Sequence, residues 1–324
     1  MSFWRNKKVL ITGHEGFLGS WLTKTLIERK ANIVGLDQAI GRPVSVLNGF
    51  RDRLTAIKGD VSDYELVHRI IKQHKPQVIF HLAAQATVES SLKNPRRALK
   101  TNIEGAWNIL EACRAQRSVK AVVFSSSDKA YGSQKKLPYT EDMPLQGKHP
   151  YDVSKSCADL ICQTYAHTFQ VPVCITRCGN IYGPGDFHDS RIVPDAVKSV
   201  LKGKRLIIRS NGRYTRDYIY VEDIVRGYIV LAEKIQSLKL LGQAFNFSNE
   251  KPLSVLSLFS EIVSSAKKIT KLKKIEPKIL NRAQFEIQHQ YLSSRKANRV
   301  LGWKAHYDLK QGLDKTIRWY QLHG

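Results

Sequence analysis

Apolar positions in the first half of the chain gather into short continuous runs. Lys8 to Thr12, Asn32 to Asp37, Leu54 to Lys58, Val78 to Leu82 and Ala121 to Phe124 are such runs, and they have the length and pattern of strands buried on both faces of a parallel sheet. Between them the apolar spacing turns helical, over Phe17 to Arg29, Asp63 to His74 and about Arg96 to Arg114, the last behind Asn94-Pro95. Strands alternating with helices predict an open, doubly wound parallel α/β sheet. Farther on, a helix opens at Tyr151 after His149-Pro150, a strand spans Val171 to Arg177, and a helix ends near Leu201. Arg216 to Asp223 alternates as a strand does and then caps a helix from Ile224. A strand at Phe245 to Ser248 and an amphipathic helix over Leu253 to Lys267 follow.

A length of 324 residues with 42% hydrophobic content suits one large α/β unit plus a smaller cap. No apolar run approaches the ~18 residues of a membrane span. Met1 to Lys8 leads straight into a strand, leaving no room for a signal peptide, so the expected location is the cytoplasm. Cys113, Cys157, Cys162, Cys174 and Cys178 lack Cys-x-x-Cys spacing and read as buried free thiols. The histidines lack metal-ligand spacing, so no metal is expected.

Three polar clusters stand at the ends of the predicted strands. Gly13, Gly16 and Gly19 follow the first strand and open the first helix, where glycine permits a tight turn and a pyrophosphate's close approach to backbone N–H groups. Asp37 ends the second strand about twenty residues on, placed to accept both hydroxyls of a ribose and to repel a 2′-phosphate. That favours NAD over NADP, with Arg42 nearby to soften the preference. Ser125-Ser126-Ser127-Asp128-Lys129 emerges at the carboxyl end of a buried strand, the edge where open parallel sheets bind ligands. Tyr151 and Lys155 share a helix face one turn apart, and a phenol beside an ammonium ionises more easily.

The glycine loop, Ser127 and Tyr151-x-x-x-Lys155 together resemble the extended short-chain dehydrogenase/reductase family, over almost the whole chain. The resemblance implies a Rossmann domain over residues 1–180 and a smaller C-terminal α/β substrate-binding domain over 181–324. The two interleave, with 220–248 returning to the main sheet. It implies NAD held by Gly13, Gly16, Phe17, Leu18, Gly19, Asp37, Asp60, Val61, Leu82, Ala83, Ala84, Tyr151 and Lys155. Asn102 matches a helix asparagine near the family's active site, while His81 reads as structural. Arg177 to Asp186 resembles the family's Arg-x-x-Asn-x-Tyr-Gly-Pro segment, which makes Asn180 a ligand of a sugar nucleotide. Arg191, Arg209 and Arg216 are the other substrate-binding candidates, because the guanidinium fork suits a diphosphate.

In the family a tyrosinate, held by Lys and helped by a Ser/Thr hydroxyl, takes a substrate hydroxyl proton as hydride passes to NAD. Those roles fall to Tyr151, Lys155 and Ser127. The following pair, Asp128-Lys129, resembles the nucleotide-sugar 4,6-dehydratases, hydro-lyases of deoxysugar and lipopolysaccharide biosynthesis, since eliminating water from a 4-keto sugar needs an acid and a base. Thymidine-nucleotide dehydratases carry Glu second, whereas Ser-Asp-Lys resembles the CDP-glucose 4,6-dehydratases. The expectation is C4 oxidation by Tyr151, C5 proton abstraction by Lys129, protonation of the leaving C6 hydroxyl by Asp128, and hydride return to C6. Burial and Lys155 are expected to depress the Lys129 pKa. GDP-mannose as substrate and a 4-epimerase, which needs no acid at Asp128, stay open.

The resemblance also implies a homodimer in which the helix ending at Arg114 and the Tyr151 helix build a four-helix bundle. The net charge of +24 raises nucleic-acid binding as a third reading. Lys and Arg are spread along the chain, densest over 267–274, without a nucleic-acid motif. No nucleic-acid or membrane partner is therefore expected, and the excess reads as a solvated surface whose field draws in an anionic substrate.

Overall fold

A computed structural model describes residues 3–116, 118–267, 269, 275–283 and 286–323. Seven parallel strands form the main sheet, in the spatial order Ala244–Phe247, Val173–Cys178, Ala121–Ser125, Val78–His81, Lys8–Thr12, Asn32–Asp37 and Leu54–Lys58. The chain starts at Lys8–Thr12, winds outward to Leu54–Lys58, then crosses back to Val78–His81 and winds the other way. That places the topological switch point between Lys8–Thr12 and Val78–His81, where a crevice opens at the strands' carboxyl ends.

The continuous apolar runs follow from burial on both faces, except at Leu54–Lys58, which is an edge strand with Thr55, Ala56 and Lys58 exposed rather than the buried run expected. Leu10, Ile79 and Val122 pack with Val67, Ile70, Ile109 and Cys162 of the helices Tyr64–His74, Gly105–Arg114 and Pro150–Phe169. Val9, Ile11, Phe80 and Val123 point to the other face, toward Leu22, Leu26, Ile224 and Ile229 of Phe17–Glu28 and Val221–Lys234. A second, smaller sheet sets Thr215–Tyr220 between Pro252–Ser254 and His289–Gln290, with Asn180–Tyr182 also paired to it. It is backed by the helices Ile192–Leu201, Val255–Lys267 and Leu309–His323.

Four readings of the sequence need correction. The helix expected from Arg96 is preceded by Val88–Lys93, begins at Pro95 with Asn94 Oδ1 accepting the Arg97 N–H at 3.0 Å, and widens into a π-helical turn over Lys100–Glu104. Such turns are single-turn insertions that mark functional positions. The helix expected from Ile224 begins at Val221, and Asp223 is no cap. Its buried carboxylate instead accepts the His306 and Tyr307 N–H groups at 2.9 and 3.0 Å and pairs with Arg226. The amphipathic helix starts at Val255, because Pro252–Ser254 adds an edge strand. Of the five free cysteines, Cys157 is only half-buried. The basic run over 267–274 lies, apart from Lys267 and Ile269, outside the described residues.

Candidate active site

A cleft of about 1020 Å³ runs along the carboxyl edge of the main sheet, from the glycine loop to the second sheet. Gly13 adopts φ of +75°, and a Cβ there would stand 2.8 Å from the Ala83 nitrogen; a Cβ on Gly19 would lie 1.9 Å from the Gly13 oxygen. The glycines thus let loop, helix and neighbouring strand close on one another. The helix Phe17–Glu28 has no side-chain cap and no acid in its first turn, so its positive end, lined by Gly16, Phe17, Leu18 and Gly19, is open to an anion. Glu15, the loop's own acid, is buried and tied to Arg51 at 3.0 Å and to the Gly41 N–H at 3.1 Å. Burial alone would raise its pKa, but those bonds outweigh burial and hold it below the usual range.

Asp37 lines the cleft, its carboxylate fixed by the Glu15 N–H at 3.0 Å and the Ala39 N–H at 3.2 Å. Val61, Leu82, Ala83 and Ala84 add an apolar wall. Asp60 stands apart from this wall. Its carboxylate accepts from the Ser62 N–H and hydroxyl, both at 2.9 Å, and from Gln38 at 2.6 Å. The helix cap is Asp63, which accepts the Leu66 N–H at 3.0 Å. An uncapped helix end, an apolar wall and a strand-end carboxylate together fit a dinucleotide's pyrophosphate, ring and ribose.

Beside this stretch, a short turn over Asp128–Tyr131, capped by Ser127, carries Asp128 and Lys129. The Ser127 hydroxyl donates to Asp128 Oδ1 at 3.0 Å and accepts the Lys129 N–H at 3.2 Å, and it stands beside the Tyr151 phenol. Burial pushes that phenol up to about 12, against the neighbouring Ser127 hydroxyl and the positive charge of Arg191. The sequence assigned this assistance to Lys155. The Lys155 ammonium instead donates to the Ser125 carbonyl at 2.7 Å, and burial lowers its pKa to about 8. Asn102, in the π-helical turn, accepts the Gln85 N–H and donates to Ser154 Oγ, each at 2.8 Å. It couples the cleft wall to the Tyr151 helix.

Asp128 is 3% exposed, with Oδ2 free of hydrogen bonds and 3.6 Å from Lys129 Nζ. The Lys129 amine also donates to Gln290 Oε1. Burial lowers the Lys129 pKa, Asp128 opposes that, and Arg216 adds to it. The assisting cation is therefore Arg216 rather than the expected Lys155, whose amine is taken up by Ser125.

Asn180, Arg191, Arg209 and Arg216 all line the cleft. Arg191 pairs with buried Asp186 at 3.0 Å, and Arg209 lies at the exposed rim, 3.4 Å from Glu89. Arg216 donates through Nη1 to the Thr215 and Gln288 carbonyls and through Nη2 to the Ile287 carbonyl, which ties its guanidinium to the neighbouring backbone at the cleft. Sequence reasoning missed Arg282 and Asp152 on the cleft wall and Gln290 behind it. Asp152 lay in plain view beside Tyr151, whereas no local pattern marks Arg282 or Gln290.

Residues 10–316 match the GDP-mannose 4,6 dehydratase family model. The chain belongs to that family. It is 30% identical to the CDP-glucose 4,6-dehydratase of Salmonella typhimurium, covering 99% of this chain and 92% of that protein. Its structure is similar to that of Bacillus anthracis dTDP-glucose 4,6-dehydratase in complex with NAD, with a TM-score of 0.82 at 26% identity and coverage of 98% and 97% of the two chains. It is also similar to Thermotoga maritima UDP-glucose 4-epimerase with UDP-glucose, with a TM-score of 0.87 at 28% identity and coverage of 97% and 99%. The resemblance to the short-chain dehydrogenase/reductases and their nucleotide-sugar branch thus holds over almost the whole chain, and the main sheet is Rossmann-like. Among the described residues no helix is long and apolar enough to cross a membrane.

Proposed function

We propose that the protein is an NAD-dependent nucleotide-sugar 4,6-dehydratase that converts CDP-glucose to its 4-keto-6-deoxy product. The observation that carries this reading is the Asp128–Lys129 pair: an acid and an amine, 3.6 Å apart, sharing one cleft with Tyr151. Bound along the glycine loop, Asp37 and the Leu82–Ala84 wall, NAD supplies the site that takes hydride from C4 and gives it back at C6.

The protein's own groups move the protons. Tyr151 takes the proton of the C4 hydroxyl. Oxidation acidifies C5, and Lys129, whose pKa burial lowers, removes the C5 proton while Asp128 protonates the departing C6 hydroxyl. Lys129 then returns a proton to C5. At the end of the cycle Tyr151 holds a proton that Asp128 lacks, and the Ser127 hydroxyl, bonded to Asp128 and beside Tyr151, offers a path between them. The reaction therefore needs no net proton from solvent.

A 4-epimerase would use Tyr151 alone, and the likeness to the T. maritima epimerase keeps that reading on the table. Against it stands a buried acid beside a partly buried amine, for which epimerisation has no use. The test is a panel of CDP-glucose, GDP-mannose, dTDP-glucose and UDP-glucose, assayed for a product lighter by one water, with mass identification of retained NAD. We expect turnover of CDP-glucose with loss of water; a C4 epimer of unchanged mass would establish the epimerase. Trp107, Leu160 and Phe169 are exposed on the helices Gly105–Arg114 and Pro150–Phe169, which supports a homodimer through a four-helix bundle.

A further inference from the structure

Gln290 sits on the strand His289–Gln290, opposite Arg216 in parallel register, and none of its surface is exposed. Its amide is spent entirely on the catalytic turn. Nε2 donates to the Asp128 carbonyl at 2.8 Å, and Oε1 accepts from the Lys129 amine. The two bonds fix the amide's sense, because a turned amide would set donor against donor at Lys129 and acceptor against acceptor at Asp128. Lys129 and Asp128 line the cleft, with Gln290 behind them. A buried glutamine whose two polar ends both meet one turn satisfies groups that an apolar residue in its place would leave without those partners.

We propose that Gln290 is a positioning residue for Lys129, whose amine it holds in the cleft while tying the catalytic turn to the substrate-binding sheet. The inference rests on the reading of Lys129 as the C5 base. A neutral amine keeps two N–H donors, so one can stay on Oε1 while the lone pair remains free for the C5 proton. Gln290's neutrality matters as much as its reach. Lys129 is faced by Asp128 of its own turn, by Asp152 of the Tyr151 helix, and by Arg216 and Asp217 of the neighbouring strand. A further carboxylate in direct contact would pin the amine in its charged form.

The test uses the full chain with CDP-glucose and the variants Gln290→Met, Gln290→Glu and Lys129→Met. In Gln290→Met, reduced nicotinamide should form on mixing to the normal extent, with KM within about twofold, while dehydrated product falls on the order of 100-fold. In Gln290→Glu, the Lys129 Cε resonance should titrate about one pH unit or more above the unmodified protein. The rising limb of product formation should move up with it, since the base must be neutral. The Cε titration needs no substrate, and Gln290→Glu keeps the side chain's shape should Gln290→Met fail to fold. Gln290 variants that lose oxidation and elimination in proportion, with the Lys129 titration unmoved, overturn the proposal. Lys129→Met with elimination intact removes the base reading itself. Loss of elimination in Lys129→Met while both Gln290 variants behave normally removes only the role of Gln290.

Discussion

Ser127 is the residue on which both halves of the proposed reaction meet, since its hydroxyl bonds the Asp128 carboxylate and stands beside the Tyr151 phenol. Removing groups on either side should therefore separate the halves. Tyr151→Phe is expected to abolish the formation of reduced nicotinamide, whereas Asp128→Asn should permit it and slow water loss by about 100-fold or more, both read by stopped-flow absorbance and product mass. Arg191 gives a pH test. Its charge holds the Tyr151 phenol below where burial would put it, and oxidation needs the phenolate. Arg191→Leu should raise that pKa and shift the rising limb of C4 oxidation to higher pH; an unmoved limb would mean the charge does not act on Tyr151. Ser127, Asp128 and Lys129 were legible in the sequence because they are consecutive at the end of a buried strand, and Tyr151 because it opens the helix behind His149-Pro150. Gln290 was not, because it meets Lys129 across 161 positions. The Lys155 reading assumed that one helix face meant one electrostatic pair, and the Ser125 carbonyl had the stronger claim on that ammonium.

At the scale of elements, the site depends on how the Tyr151 helix is fastened to the sheet. Asp159 of Pro150–Phe169 takes both arms of Arg177 from Val173–Cys178, each at 2.9 Å, and all of it is buried. Removing one partner leaves a buried charge alone, so Asp159→Ala should cost about 3–5 kcal/mol in urea unfolding. The glycine loop is held as tightly by space. Gly19→Ala puts a methyl where the Gly13 carbonyl stands, and the purified variant should retain no NAD by mass analysis. Retention at the normal level would contradict the close packing described. The central strands Lys8–Thr12, Val78–His81 and Ala121–Ser125 were readable as continuous apolar runs, because burial on both faces leaves no room for alternation. The π-helical turn was not, since Asn102 answers to Gln85 and Ser154 rather than to its helical neighbours. Asp223 was misread as a cap for the same reason, its partners being His306 and Tyr307.

At the scale of the molecule, the net charge of +24 surrounds a cleft whose wall includes Arg42, Arg191, Arg209, Arg216 and Arg282. Such a field should speed the encounter with an anionic substrate, so kcat/KM for CDP-glucose is expected to fall as salt rises while kcat holds. Leu160→Glu places a charge in the middle of the proposed bundle face and should convert a dimer to a monomer by light scattering, whereas an unchanged mass would move the interface elsewhere. The most direct test of the whole account is incubation with CDP-glucose in deuterium oxide, followed by mass and proton NMR analysis of the product. A base at C5 and an acid at C6 predict a 4-keto sugar nucleotide that has lost one water and carries solvent deuterium at C5. A product of unchanged mass, inverted at C4 and free of deuterium, would contradict it.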